Sequence, residues 1–165
     1  MLFKEEYVRK KYKESAKVFI NAYGWFVKEA QYIVPKPEGA EYPYWAFTDL
    51  YNVDQTGDGH VLTLDVPIGE AILFDMFDWT KIMQMHYIGE NESEESAFSE
   101  ELKNMGMNEF QIMTSNFYPE QKARIQESWN RLFNHQQAIE AGDNSGVHSV
   151  QAGLWCIKDE WIVKE

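Results

Sequence analysis

The chain has 165 residues, 44% of them hydrophobic, with a formal net charge of −12 and a single cysteine. That length fits one domain able to bury roughly 70% of its unfolded surface. No run approaches the ~18 uncharged apolar residues of a membrane span, MLFKEEYVRKKYKES lacks the apolar stretch of a secretory signal, and one Cys excludes an internal disulfide framework.

These features point to a cytoplasmic protein. The charge is unevenly spread. Residues 1–36 hold eight Lys/Arg against four Glu, a net of +4, so the remainder carries −16. Such a surface repels nucleic acid and attracts a protein partner with a basic surface. The 10 Phe, 9 Tyr and 6 Trp are a heavy aromatic load that should dominate the packing.

In chain order, Val8, Tyr12, Ala16, Phe19, Tyr23, Phe26 and Ala30 form a stripe at helical period, ended by Pro35 and Pro37. EYPYWAFTDLYNV then reads as a strand with Pro43 at its start. The stretch DQTGDGHVLTLD has the spacing of a calcium loop at Asp54, Thr56, Asp58 and Gly59. Its second half alternates as a strand instead of opening a helix, however, and its twelfth residue is Asp65 instead of Glu. The reading is a hairpin turn in which Gly57 and Gly59 take positive φ, with HVLTLDV as the following strand.

PIGE makes a further turn, AILFD a short strand, and DWTKIMQMHYI a helix capped by Asp75 or Asp78. Residues 90–101 carry six Glu and no base, and read as an exposed loop entering a short helix. In SNFYPEQKARIQESWNRLFN, Ser115 or Asn116 caps a helix, Pro119 sits in its first turn, and Ile125, Trp129, Leu132 and Phe133 form its buried face. VHSVQAGLWCI, apolar on both faces, reads as a central strand. The expected architecture is a single α+β domain over residues 1–165. Its N-terminal helix packs on a mixed or antiparallel sheet with further helices.

Chemical motifs are sparse. His60, His86, His135 and His148 share no ligand spacing, and no phosphate-loop or nucleophile-elbow motif occurs, so no metal or cofactor is expected. Cys156, in an apolar run, reads as inert core. Asp75 and Asp78 stand beside the positive end of a helix dipole, which suits a cap better than a general acid. Trp45, Trp79, Trp129, Trp155 and Trp161 fall at core positions. Gln151 is polar in an otherwise apolar strand and needs partners for its amide if buried; His148 is expected on the other face of that strand.

Taken in order, YPYWAF, LTLDVP, LFDMFDW, ESWNRLF and VQAGLWCIKDEWI resemble a bacterial and phage family known only as a domain of unknown function. The likeness runs from Asn21 to Val163. Its pattern is a Pro-aromatic-Trp-Ala strand, an Asp-Phe-Asp-x-Trp helix start, a Ser-Trp-x-x-Ile-Phe helix and a closing Gln-x-x-x-Trp strand. Phe77 stands where the family carries its second Asp, with Asp78 one step later. The resemblance implies a fold and a cellular setting, and no activity.

Two functional classes remain. The first is a regulatory binding protein, of the kind phages direct against host factors, acting through Glu92, Glu94, Glu95, Glu100 and Glu101. The second is a nucleotide-binding enzyme of the ADP-ribosyltransferase-like kind. Gln151 would hold the place of its catalytic Glu or Gln, with Tyr44, Trp45, Thr48, Asp75 and Trp79 lining the ligand. This second class rests on fold-level analogy.

Overall fold

The computed structural model describes residues 9–10, 16–56 and 59–163. The first described long element, α1 (Ala16–Ala30), carries the apolar stripe from Ala16 onward; Val8 and Tyr12 lie outside the described residues, as do Gly57 and Asp58. Ala22, Phe26 and Ala30 are fully buried, so the expected period is the packed face.

Three short strands form one antiparallel sheet in the order β1 (Tyr44–Phe47), β3 (Val150–Leu154), β2 (Ile72–Asp75). Tyr44 pairs with Leu154 and Phe47 with Gln151 on one side of β3; Ile72 pairs with Gly153 and Asp75 with Val150 on the other. All five residues of β3 are buried, as expected for a central strand apolar on both faces.

One face of the sheet receives α1, α2 (Met76–Met83), α3 (Glu92–Asn104), α4 (Glu109–Thr114), α5 (Pro119–Ser128) and the 3₁₀ turn Trp129–Phe133. The centre of this core is aromatic. Phe26 meets Trp45, Phe74 and Trp79 at ring-centroid distances of 5.1, 5.5 and 5.3 Å, all edge-on. Phe26 approaches β3 so closely that a β-carbon on Gly153 would lie 3.2 Å from its Cζ, which makes glycine the residue that fits there. The smaller opposite face holds Ala71, Leu73, Val150, Ala152 and Leu154 with Ile139 from α6 (Gln136–Glu140).

Several expectations shift. EYPYWAFTDLYNV is a strand only over β1; Asp49 then accepts from the Tyr51 amide at 2.8 Å and turns the chain into a 3₁₀ segment, Leu50–Asn52. HVLTLDV does not join the sheet, which consists of β1, β3 and β2 alone. It makes one bridge, Leu64 with Ile162, and tucks Leu64 and Val66 against the smaller core. Gly57 and Asp58, at the centre of the expected hairpin turn, lie outside the described residues.

Of residues 90–101, expected as a loop entering a short helix, all from Glu92 onward are already helical, in α3. Asn91 caps the Glu94 amide at 3.0 Å, the early glutamates suit the helix N-terminus, and Phe98 and Leu102, one turn apart, anchor the helix. At α5 the cap is Tyr118 in the left-handed region (φ 62°), since Ser115 spends its hydroxyl on the Phe117 amide and Pro119 disfavours helical geometry just before it.

The outer edge of β2 is closed by a side chain. Gln136, buried on α6, accepts from the Leu73 amide at 2.6 Å and donates to the Ala71 carbonyl at 3.1 Å, occupying the edge as a neighbouring strand would. Replacing Gln136 by Leu keeps the bulk and strands both backbone groups. The expected cost is about 1–3 kcal/mol, read as a lower urea midpoint at unchanged slope. An unchanged midpoint would show that the amide does not seal the edge.

Candidate functional site

Polar groups converge at the end of the sheet where β3 begins and β2 hands over to α2. Asp75 ends β2 and is the N-cap of α2, its Oδ1 accepting from the Phe77 amide at 3.0 Å. Its Oδ2 accepts from the His148 amide at 2.9 Å and lies 2.9 Å from the His148 Nδ1. A longer contact of 3.4 Å reaches the Ser149 amide. Asp75 is buried, whereas 76% of the His148 side chain is exposed and packs its ring on Phe77 at 5.1 Å.

Burial pushes the Asp75 carboxyl up. The donors from the His148 amide, the Phe77 amide, the His148 ring and the Ser149 amide outweigh it, and the net effect is a carboxyl held below its ordinary range. With Asp75 ionised, the proton of a neutral His148 belongs on Nδ1, which leaves Nε2 as an acceptor. Asn52 Nδ2 donates to Ser149 Oγ at 2.7 Å, and Thr48 Oγ1 to the Val150 carbonyl at 3.3 Å, so the hydroxyls nearby are already engaged in fixing β1 to β3. Among the described residues no group of three His, Cys, Asp or Glu could hold a metal ion.

The residues expected to line one ligand site divide into three places. Thr48, Asp75 and Gln151 share this end of the sheet. Trp45 and Trp79 belong to the aromatic core, Trp45 donating its indole N–H to the Tyr23 hydroxyl at 3.0 Å and packing on Trp79 at 5.1 Å. Tyr44 stands at the far end of β1, on a cavity of about 410 Å³ shared with Glu38, Glu41, Tyr42, Trp155 and Cys156. Gln151 is paired between Phe47 and Phe74 and buried, and among the described residues its Oε1 has no hydrogen-bond partner. His148 precedes β3 instead of lying on the face opposite Gln151, and its pairing with Asp75, 73 positions earlier, has no local signature.

The five glutamates expected on a partner surface also divide. Glu94 accepts from the Tyr87 hydroxyl at 2.5 Å and pairs with Arg131 at 3.2 Å; Glu95 pairs with Lys81 at 2.6 Å; Glu101 receives both guanidinium nitrogens of Arg124, at 2.6 and 3.0 Å. The Tyr87 hydroxyl in the first case and Arg124 in the last hold Glu94 and Glu101 below the usual carboxylate range. Glu92 and Glu100 remain exposed. Glu100 also borders a cavity of about 390 Å³ between α3 and the loop after α2, with Lys81, His86, Tyr87 and Glu109.

The Asp75 cap has a testable pH signature. In Asp75→Asn an amide NH₂ takes the place of one oxygen and cannot serve both flanking donors, so about 1–3 kcal/mol is lost at neutral pH. Because the folded carboxyl is depressed, its contribution is fully present above the unfolded value near pH ~4 and is lost as pH falls through the folded one. Thermal unfolding of both proteins should therefore converge toward low pH. A constant gap would assign the cost to something other than ionised Asp75.

No curated protein and no solved structure matches this chain. One family does, over residues 1–163, under the description Domain of unknown function (DUF3841). With nearly its whole length matched, the chain belongs to that family.

Proposed function

We propose that this chain acts by binding a partner protein with a basic surface, as a small regulatory protein of a bacterial or phage-infected cytoplasm. The observation that carries this reading is how its cations are used. Of the six Lys and Arg described beyond residue 36, Lys81, Arg124, Arg131 and Lys158 pair with carboxylates of the same chain, Lys122 bonds the Ser115 carbonyl, and Lys103 is exposed. The charge of the four paired cations is spent inside, and exposed Glu38, Glu41, Glu92, Glu100, Glu120 and Glu160 carry the excess. Exposed pairs stabilise little, so the arrangement shapes the surface potential more than the fold.

A nucleotide-binding enzyme of the ADP-ribosyltransferase-like kind is the second reading, favoured by the unpartnered Gln151 Oε1. It has less support. Gln151 is buried and borders neither of the two cavities described, and Trp79 is core.

The test is capture of partners from cell lysate with the intact protein, followed by rebinding of the purified partner. Association should weaken as salt rises. Glu92→Gln with Glu100→Gln should weaken it further. Glu101→Gln, which removes a carboxylate already matched by Arg124, should do less. Salt-independent binding, or no basic protein captured, would count against the reading.

A further inference from the structure

The two edges of the sheet are treated differently. On the β2 side, Gln136 holds the outward Leu73 amide and the Ala71 carbonyl just before the strand. On β1, the Thr48 amide reaches the Val150 carbonyl at 3.5 Å, which sets the alternation: Tyr44, Ala46 and Thr48 bond to β3, and the amides and carbonyls of Trp45 and Phe47 face away from it. Among the described residues no group hydrogen-bonds them. An edge of free backbone donors and acceptors is a template for an added strand.

Chemistry beside the edge selects the occupant. At its Tyr44 end lies the cleft of about 410 Å³, lined by exposed Glu38 and Glu41 together with Tyr44 and Trp155. Among the described residues no ion pair engages either carboxylate. Side chains on one face of an added strand recur every ~7 Å, so one of them falls at this cleft. Carboxylates over aromatic rings suit a lysine or arginine, whose stem packs on the rings while its head meets the acids. A second copy fits poorly. Two β1 edges paired about a two-fold axis would bring the Glu38–Glu41 end of one chain toward exposed Asp49 of the other, like charge against like.

We propose that the outer edge of β1 docks an extended lysine- or arginine-rich segment of the partner, which pairs with Trp45 and Phe47 and seats a basic side chain in the Glu38–Glu41 cleft. The proposal rests on the reading of the chain as an acidic binding protein and gives that reading a location.

The experiment is titration of the full-length protein, isotope-labelled for amide NMR, with a short synthetic peptide alternating lysine and valine. The expected result is movement of the Trp45 and Phe47 amide signals. A peptide methylated on the backbone nitrogens of one edge should bind at least about tenfold more weakly. Glu38→Gln with Glu41→Gln should produce a similar loss, as for removal of a charged hydrogen-bond partner. The methylated probe leaves the protein untouched, so its result does not depend on a variant folding. Salt-sensitive binding that leaves Trp45 and Phe47 unmoved would overturn the edge while the acidic-surface reading stands. Equal affinity for a threonine–valine peptide would overturn the basic occupant and undermine that reading too. No binding by any of the peptides, or dimerisation that protects these amides before peptide is added, overturns the proposal.

Discussion

Phe26 rests on Gly153 with no β-carbon between them, and the larger core is arranged around that seat. The absence of a side chain lets α1 approach β3 closely enough for Trp45, Phe74 and Trp79 to meet Phe26 with their edges. Such contacts are directional as well as apolar, so they fix the orientation of α1 as well as burying it. The tryptophans that border the core tie it to polar backbone: Trp155 donates to the Val34 carbonyl at 2.7 Å and Trp129 to the His86 carbonyl at 2.7 Å. A sheet of three short strands holds because each face is pressed by side chains whose polar edges are also satisfied.

What the sequence made legible followed from the range of each interaction. The stripe of α1, the central position of β3 and the strand-to-helix junction at Asp75 depend on neighbours a few positions apart, and they were readable. HVLTLDV was misleading because alternation states which residues want burial and not which backbone they pair with; here the partner is the Ile162 segment. The glutamate run hid a helix because its apolar signal is two residues, Phe98 and Leu102, amid charges. The contacts that define the candidate sites were beyond reach. Asp75 with His148, Gln136 with Leu73, and Arg131 with Glu94 join positions tens of residues apart, and nothing local distinguishes these residues from their neighbours.

The acidic helix α3 joins structure to surface chemistry. Its inward glutamates receive Lys81 and Arg131 and clamp the loop after α2, the Gly89 amide included, while its outward ones stay in water. Lys81 and Arg131 are thus matched within the chain. What it shows a partner is set less by which acids it contains than by which of them were left without a base.

The amide of Gln136 has a consequence for assembly. A three-stranded sheet with both sides open could grow in two directions, and such growth has no natural end. With Gln136 holding the Leu73 amide and the Ala71 carbonyl from within its own chain, a strand approaching the start of β2 meets groups already engaged. The two sides of the sheet are therefore unequal templates, and growth from the β2 side would first have to displace a side chain.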